Sequence, residues 1–133
     1  MEEALRNWVS LAEQHEYKAF VIDMLKKMYS AAYIKKYGWL FPILSKVVKP
    51  KEFSRFINLA KACLTCDAYP ELYKISCPVF VLGSRRDRIV TGAASEELAE
   101  ALKCKIHMYD NLGHGAYEEA PDFNKRIQQF LSE

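Results

Sequence analysis

Charge of either sign is nearly absent as a net quantity: 19 basic residues stand against 17 acidic ones, for a formal charge of +2. Such a balance argues against nucleic acid or an anionic membrane surface as the main partner. Long apolar runs are also missing, so no segment is expected to span a bilayer. The opening Met1-Glu2-Glu3 is acidic, unlike a secretory leader. Four cysteines without such a leader predict reduced thiols and a cytoplasmic setting. There is no fixed-period repeat and no low-complexity stretch. What is abundant is core material: half of the 133 residues are apolar, with two Trp, eight Tyr and seven Phe. That excludes a disordered chain and fits one ordinary domain.

The first 66 residues carry helical periodicity almost throughout. Leu5, Trp8, Val9 and Ala12 predict a helix over residues 3–16. Tyr17, Phe20, Val21, Met24, Leu25 and Met28 follow at i, i+3, i+4, i+7, i+8 and i+11, with Lys18, Asp23, Lys26 and Lys27 on the other face. Ser30 can cap a short helix that Gly38 ends. The dense patch Trp39–Leu44 contains Pro42, which suits a first helical turn. Pro50 closes that segment, and Phe53, Phe56, Ile57, Ala60 and Leu64 mark a further amphipathic helix. Residues 1–66 thus read as four or five helices.

After the connector Asp67–Lys74 the pattern changes. Pro78 opens an apolar run, Val79-Phe80-Val81-Leu82, with no polar face, which suits a parallel strand covered on both sides. A helix follows from Thr91 to Lys103, with Ala94, Leu98, Ala101 and Leu102 facing inward. Residues 105–109 form a second strand. Pro121 suits the first turn of a last helix carrying Phe123, Ile127, Phe130 and Leu131. Strand, helix, strand, helix after a helical segment is an α/β arrangement, and two successive parallel strands deliver their following loops to one edge. Asp87 sits on the first of those loops and His114, between Gly113 and Gly115, on the second. A carboxylate that takes the Nδ1 proton of an imidazole fixes its tautomer and leaves Nε2 as a base. The plain alternative for Asp87 is a turn aspartate bonding its own loop. The glycines are expected to let the backbone turn tightly and leave the imidazole uncrowded.

Arg85, Arg86 and Arg88 crowd the acid. They read either as an anion site or, more simply, as solvated loop charges or partners of Glu118 and Glu119. Glu118 and Glu119 themselves suit the electrostatics of a helix start. Cys63-Leu-Thr-Cys66 is a C-x-x-C at a helix C-terminal end, where a thiolate is not favoured, and Cys77 and Cys104 are isolated. No metal or redox use is expected of them, and no cofactor. His15 and His107 read as exposed or core residues. Ser84 lies on the acid's own loop, and a nucleophile needs to face the base from a separate strand end.

The succession apolar strand, Gly83-x-x-x-Asp87-x-Ile89-Val90, helix, short strand, Gly113-His114-Gly115 and closing helix resembles the C-terminal end of α/β-hydrolase enzymes, closely over residues 67–133. Residues 1–66 resemble the helical cap that many members insert ahead of this region. The resemblance implies a helical cap (1–66) followed by the C-terminal part of the hydrolase core (67–133), with Asp87 and His114 as acid and base of a triad. The family's nucleophile turn, Gly-x-Ser-x-Gly, occurs nowhere in this chain. The implied activity is hydrolysis of an ester, thioester or similar acyl bond by the complete protein. The nucleophile, Ser or Asp, would come from a missing N-terminal half. A cap bearing Met24, Met28, Tyr33, Trp39 and Phe41 suits a small-molecule substrate with an apolar acyl or alkyl part. Two other readings stand beside it: a non-catalytic fragment or split subunit, and a helical protein-binding module built on residues 5–29, which faintly resemble a tetratricopeptide helix pair. In the hydrolase family the strand at 79–82 has a neighbour on each side. Without one of them its edge is expected to drive self-association.

Overall fold

The computed structural model describes residues 1–47 and 52–133. The expected helix stop at Pro50 lies outside the described residues. Five α-helices occupy the first half: α1 (Glu2–Glu13), α2 (Tyr17–Met28), α3 (Ala31–Tyr37), α4 (Phe41–Val47) and α5 (Ser54–Thr65). A 3-10 turn, Gly38–Leu40, joins α3 to α4, and a second, Tyr69–Lys74, leads into β1 (Phe80–Ser84). Then follow α6 (Gly92–Leu102), β2 (Lys105–Tyr109), the single turn α7 (Ala116–Glu119) and α8 (Phe123–Leu131). The order of the main helices and strands is that predicted; the two 3-10 turns and α7 are additional to it.

The helical layer forms because its apolar stripes converge. Ala4, Trp8 and Ala12 of α1 meet Phe20 and Val21 of α2 and Phe53 before α5 in one buried cluster. Phe20 stands edge-on to both Phe53 and Phe56, with centroids 4.9 Å apart in each pair. The cluster also takes in Ile89, two residues past Asp87. The loop after β1 is therefore rooted in the helical core. Trp8 carries a polar group into this region, and its indole N–H donates to Asp23 Oδ2 at 2.7 Å. Burial opposes the charge on Asp23, but bonds from Lys27, Trp8 and Asn7 outweigh it and hold the carboxyl below its ordinary range.

Strands β1 and β2 pair in parallel, in register from Phe80–Lys105 to Ser84–Tyr109. The strand starts at Phe80 rather than Pro78 because β2 begins at Lys105 and offers residues 78 and 79 no ladder partner. Helix α6 crosses over between the strands, capped by Thr91 Oγ1 and ended by Lys103 in the left-handed region at φ 50°. It lies close on the sheet. A Cβ on Gly83 would come within 2.7 Å of Ser95 Cβ. The buried residues of α6 are Gly92 and Ala99. Ala101, expected inside, is exposed, because it lies about 200° round the helix from Ala99. Pro121 precedes the N-cap, Asp122, instead of entering the first turn of α8. Leu131 of α8 is 75 % exposed, and no residue of that helix is fully buried.

Replacing Trp8 by Phe keeps most of the ring in the cluster but removes the donor to Asp23. Since bonds to charged groups contribute about 1.5–3 kcal/mol, Trp8→Phe is expected to lower unfolding free energy by that order. A fall in the urea midpoint at unchanged m-value is the check.

Candidate active site

Parallel pairing places the C-terminal ends of β1 and β2 side by side, and the two loops that leave them carry Asp87 and His114. The turn after β1 is tight: the Asp87 N–H donates to Ser84 O at 3.3 Å. Asp87 Oδ1 accepts from the backbone N–H of Ile89 at 2.7 Å and of Val90 at 2.9 Å. Its other oxygen, Oδ2, accepts from His114 Nδ1 at 2.8 Å. Asp87 thus makes both the contacts of a turn aspartate and a contact with His114, by different oxygens of one carboxylate. The Asp87 side chain is 10 % exposed and that of His114 36 %.

The bond to Asp87 raises the His114 pKa above its ordinary value of 6.5, partly offset by burial, with the carboxylate's charge adding to the rise. Nδ1 is committed to Asp87, so the second ring nitrogen is the one available for proton transfer. His114 and Asp87 border an open hollow of about 310 Å³ along the end of β1, with Ser84, Ser95 and Tyr117 on its walls. Ser84 is 4 % exposed.

The glycines beside His114 act differently from the expectation. No glycine has a positive φ, so neither is required by an unusual turn. Close approach is what constrains them. A Cβ on Gly113 would stand 2.7 Å from Met28 O, too near the backbone to be accommodated without a shift, and one on Gly115 would stand 3.1 Å from the Tyr29 ring, a tight contact. Of the arginines, Arg86 and Arg88 are exposed, in line with the reading as solvated loop charges, while Arg85 pairs with Glu96 at 2.7 Å and Asp110 at 3.0 Å rather than with Glu118 or Glu119. Glu118 and Glu119 reach instead to α2 and α3: Tyr29 Oη donates to Glu118 Oε2 at 2.6 Å, and Ser30 N to Glu119 Oε1 at 2.9 Å. Sequence reasoning missed these contacts, whose partners are 89 positions apart. Cys63 and Cys66 are exposed free thiols at the end of α5. His15 is exposed and bonded to Tyr17, and His107 is half-buried on β2.

Neither a protein-family model nor a curated protein sequence matches the chain. Solved structures do. MGS-M2, an α/β hydrolase enzyme from a Medee basin deep-sea metagenome library, superposes with a TM-score of 0.82 at 21% identity, over 99% of this chain and 50% of its own. The enol-lactonase from Burkholderia xenovorans LB400 gives 0.82 at 22% identity, over 98% of this chain and 51% of that one. An esterase (EaEST) from Exiguobacterium antarcticum gives 0.80 at 15% identity, over 100% and 49%. The chain therefore has the fold of part of an α/β-hydrolase, and it spans about half the length of the structures it matches. Among the described residues no helix is long and apolar enough to cross a membrane.

Asp87→Asn should return the His114 midpoint toward 6.5. The folded midpoint is the higher one, so the bond stabilises fully below the unfolded midpoint and that contribution is lost as pH rises through the folded one. An NMR titration of His114 Cε1–H in both proteins checks the shift.

Proposed function

We propose that this chain supplies the acid and the base of a hydrolytic triad whose nucleophile belongs to the half of the fold absent from it. The observation that carries the reading is the 2.8 Å bond between His114 Nδ1 and Asp87 Oδ2 at the ends of two adjacent parallel strands. In the complete protein a nucleophilic serine attacks the acyl carbon while His114 Nε2 takes its proton. The histidine returns that proton to the leaving group, and water then releases the acyl group by the same route. Asp87 holds the imidazole in the productive tautomer and balances the imidazolium. Backbone N–H groups of the absent half would form the oxyanion hole. An aspartate nucleophile in the serine's place fits the same dyad.

The substrate class we infer is a small ester or related acyl compound. An esterase and an enol-lactonase share the fold. Residues 1–66 serve as the cap, the remainder as core. Trp39, Ile43 and Leu44 stand exposed on the cap at 69 %, 52 % and 40 %, and such surface suits an apolar acyl or alkyl part. The helical-module reading has less support. Packing of α1 on α2 resembles a helix pair, yet Ile89 from the strand region enters the same core, which a solenoid repeat would not need.

The free edge of β1 is the second element of the proposal. Among the described residues only one side of β1 is paired, in a two-stranded sheet. Its apolar residues are half-buried, the mark of a strand built for a sheet interior. We take that edge as the joint with the absent half, and as the route of self-association when that half is missing.

Two outcomes are expected. The 133-residue chain should not turn over p-nitrophenyl esters, whereas joined to its nucleophile-bearing half it should, with kcat cut by roughly 10³-fold or more in His114→Ala and Asp87→Asn. Near-normal kcat in Asp87→Asn would remove the acid from the scheme. Separately, light scattering coupled to size exclusion should find the chain dimeric or larger at micromolar concentration; a cooperatively unfolding monomer would mean that the β1 edge is covered from within the chain.

A further inference from the structure

The His114 loop is fastened at more points than its two flanking elements provide. Between β2 and the single turn α7, residues 113–115 lie flat on the C-terminal end of α2. The Gly115 N–H donates to Met28 O at 2.7 Å, satisfying one of the carbonyls that a helix end leaves without an intrahelical partner. Within α7, Glu118 accepts from the Tyr29 hydroxyl at 2.6 Å. Glu119 takes both donors of Ser30, the backbone N–H at 2.9 Å and the hydroxyl at 2.5 Å. Ser30 is 6 % exposed, and its Oγ also accepts from Tyr33 N at 3.1 Å as the N-cap of α3. Three consecutive residues, Met28 to Ser30, thus bind the segment that follows His114 at three places. Burial and the bond to Glu118 push the Tyr29 hydroxyl well above its ordinary pKa, so it stays a donor throughout the neutral range. Its ring stacks on Tyr33 with centroids 4.2 Å apart.

We propose that Glu119 and Glu118 are positioning residues for His114: by latching α7 to the α2–α3 joint, they let the helical layer set where the imidazole stands relative to Asp87. The geometry argues for position over mere adhesion. The dyad is one hydrogen bond between two loops, and both loops are referenced to the same helices, the acid loop through Ile89 in the core cluster and the histidine loop through the latch. Strand pairing ends at Ser84 and Tyr109, continued only by Arg85 N–H to Tyr109 O at 2.9 Å. Beyond it nothing in the ladder fixes the distance between residues 87 and 114. A movement of the α2–α3 joint would therefore be transmitted to the base. The inference rests on the reading of His114 and Asp87 as a working dyad.

The test reads the dyad directly and requires no turnover. His114 Cε1–H is titrated by NMR in the chain and in Glu119→Ala, Ser30→Ala, Glu119→Gln and Ser30→Thr. Glu119→Ala removes both bonds to Ser30 and should move the His114 midpoint down toward 6.5, in the direction of Asp87→Asn; Ser30→Ala removes only the hydroxyl bond and keeps the backbone N–H bond, so its downward shift should be the smaller. The Gln and Thr variants, which keep an acceptor for Ser30 N–H and a hydroxyl for Glu119, should stay near the parent value. A purely structural role predicts the opposite pattern: a lower melting temperature in the alanine variants with an unmoved midpoint, and that result would overturn the proposal. Should Glu119→Ala fail to fold, Tyr29→Phe decides instead. It keeps the ring on Tyr33 and drops only the bond to Glu118, so a smaller downward shift is expected and no shift overturns the idea. An intact titration pattern with an inactive complete protein would sink the hydrolase reading and spare the latch. The reverse outcome would do the opposite.

Discussion

Asp87 divides one carboxylate between two tasks. Oδ1 gathers two backbone N–H groups of its own loop, and Oδ2 holds the imidazole of His114. The first task makes the second possible. A carboxylate pinned by its own loop cannot swing away, so its remaining oxygen presents one fixed acceptor to the histidine. Little rotamer entropy is left to lose when that bond forms. The same pinning turns Ile89 and Val90 toward the helical layer, where Ile89 is buried and Val90 packs against the cluster. Remove the carboxylate and the loop, the imidazole's orientation and one anchor between the two parts of the chain all loosen together.

This dependence explains why the helical segment and the strand region share a core, although their sequence patterns differ sharply. A two-stranded sheet with one crossover helix buries too little apolar area to stand by itself. The helices supply the missing cover: Trp8, Phe20 and Phe53 make the wall into which Ile89 inserts. The Trp8–Asp23–Lys27 group shows how that wall accepts a charge. Three donors surround the Asp23 carboxylate, so its partial burial is met by hydrogen bonds instead of being left as a cost.

Most of the frame was legible because its signals are local. The apolar stripe of α2, the Ser30 cap, both strands and the placement of Asp87 and His114 on successive strand ends each follow from residues within a few positions of one another. What escaped depends on distance in the chain. Glu118 and Glu119 were read as helix-start charges, and they do lie in the first turn of α7; nothing near them announces their further contacts with Tyr29 and Ser30. Arg85 was weighed against Glu118 and Glu119, whereas the turn directs it to Glu96 and Asp110. Gly113 and Gly115 were recognised as necessary, but for turning; the cause is the α2 end pressed against them, which only the tertiary packing reveals. Ala101 was placed inward by counting apolar positions, whereas it lies on the face of α6 turned away from the buried Gly92 and Ala99.

Several positions that sequence patterning placed inside are left partly or wholly outside by the fold. Leu131 is exposed, α8 has no fully buried residue despite its apolar stripe, and Phe80, Val81 and Leu82 of β1 are partly buried. The chain spans about half the length of the structures it matches, and on the proposed reading these surfaces are the ones the other half would cover. The dyad obeys the same logic. His114, held at Nδ1 by Asp87, lines an open hollow at the end of β1. On the proposed reading the nucleophile would have to reach that hollow, so whatever supplied it would complete the triad beside the end of β1.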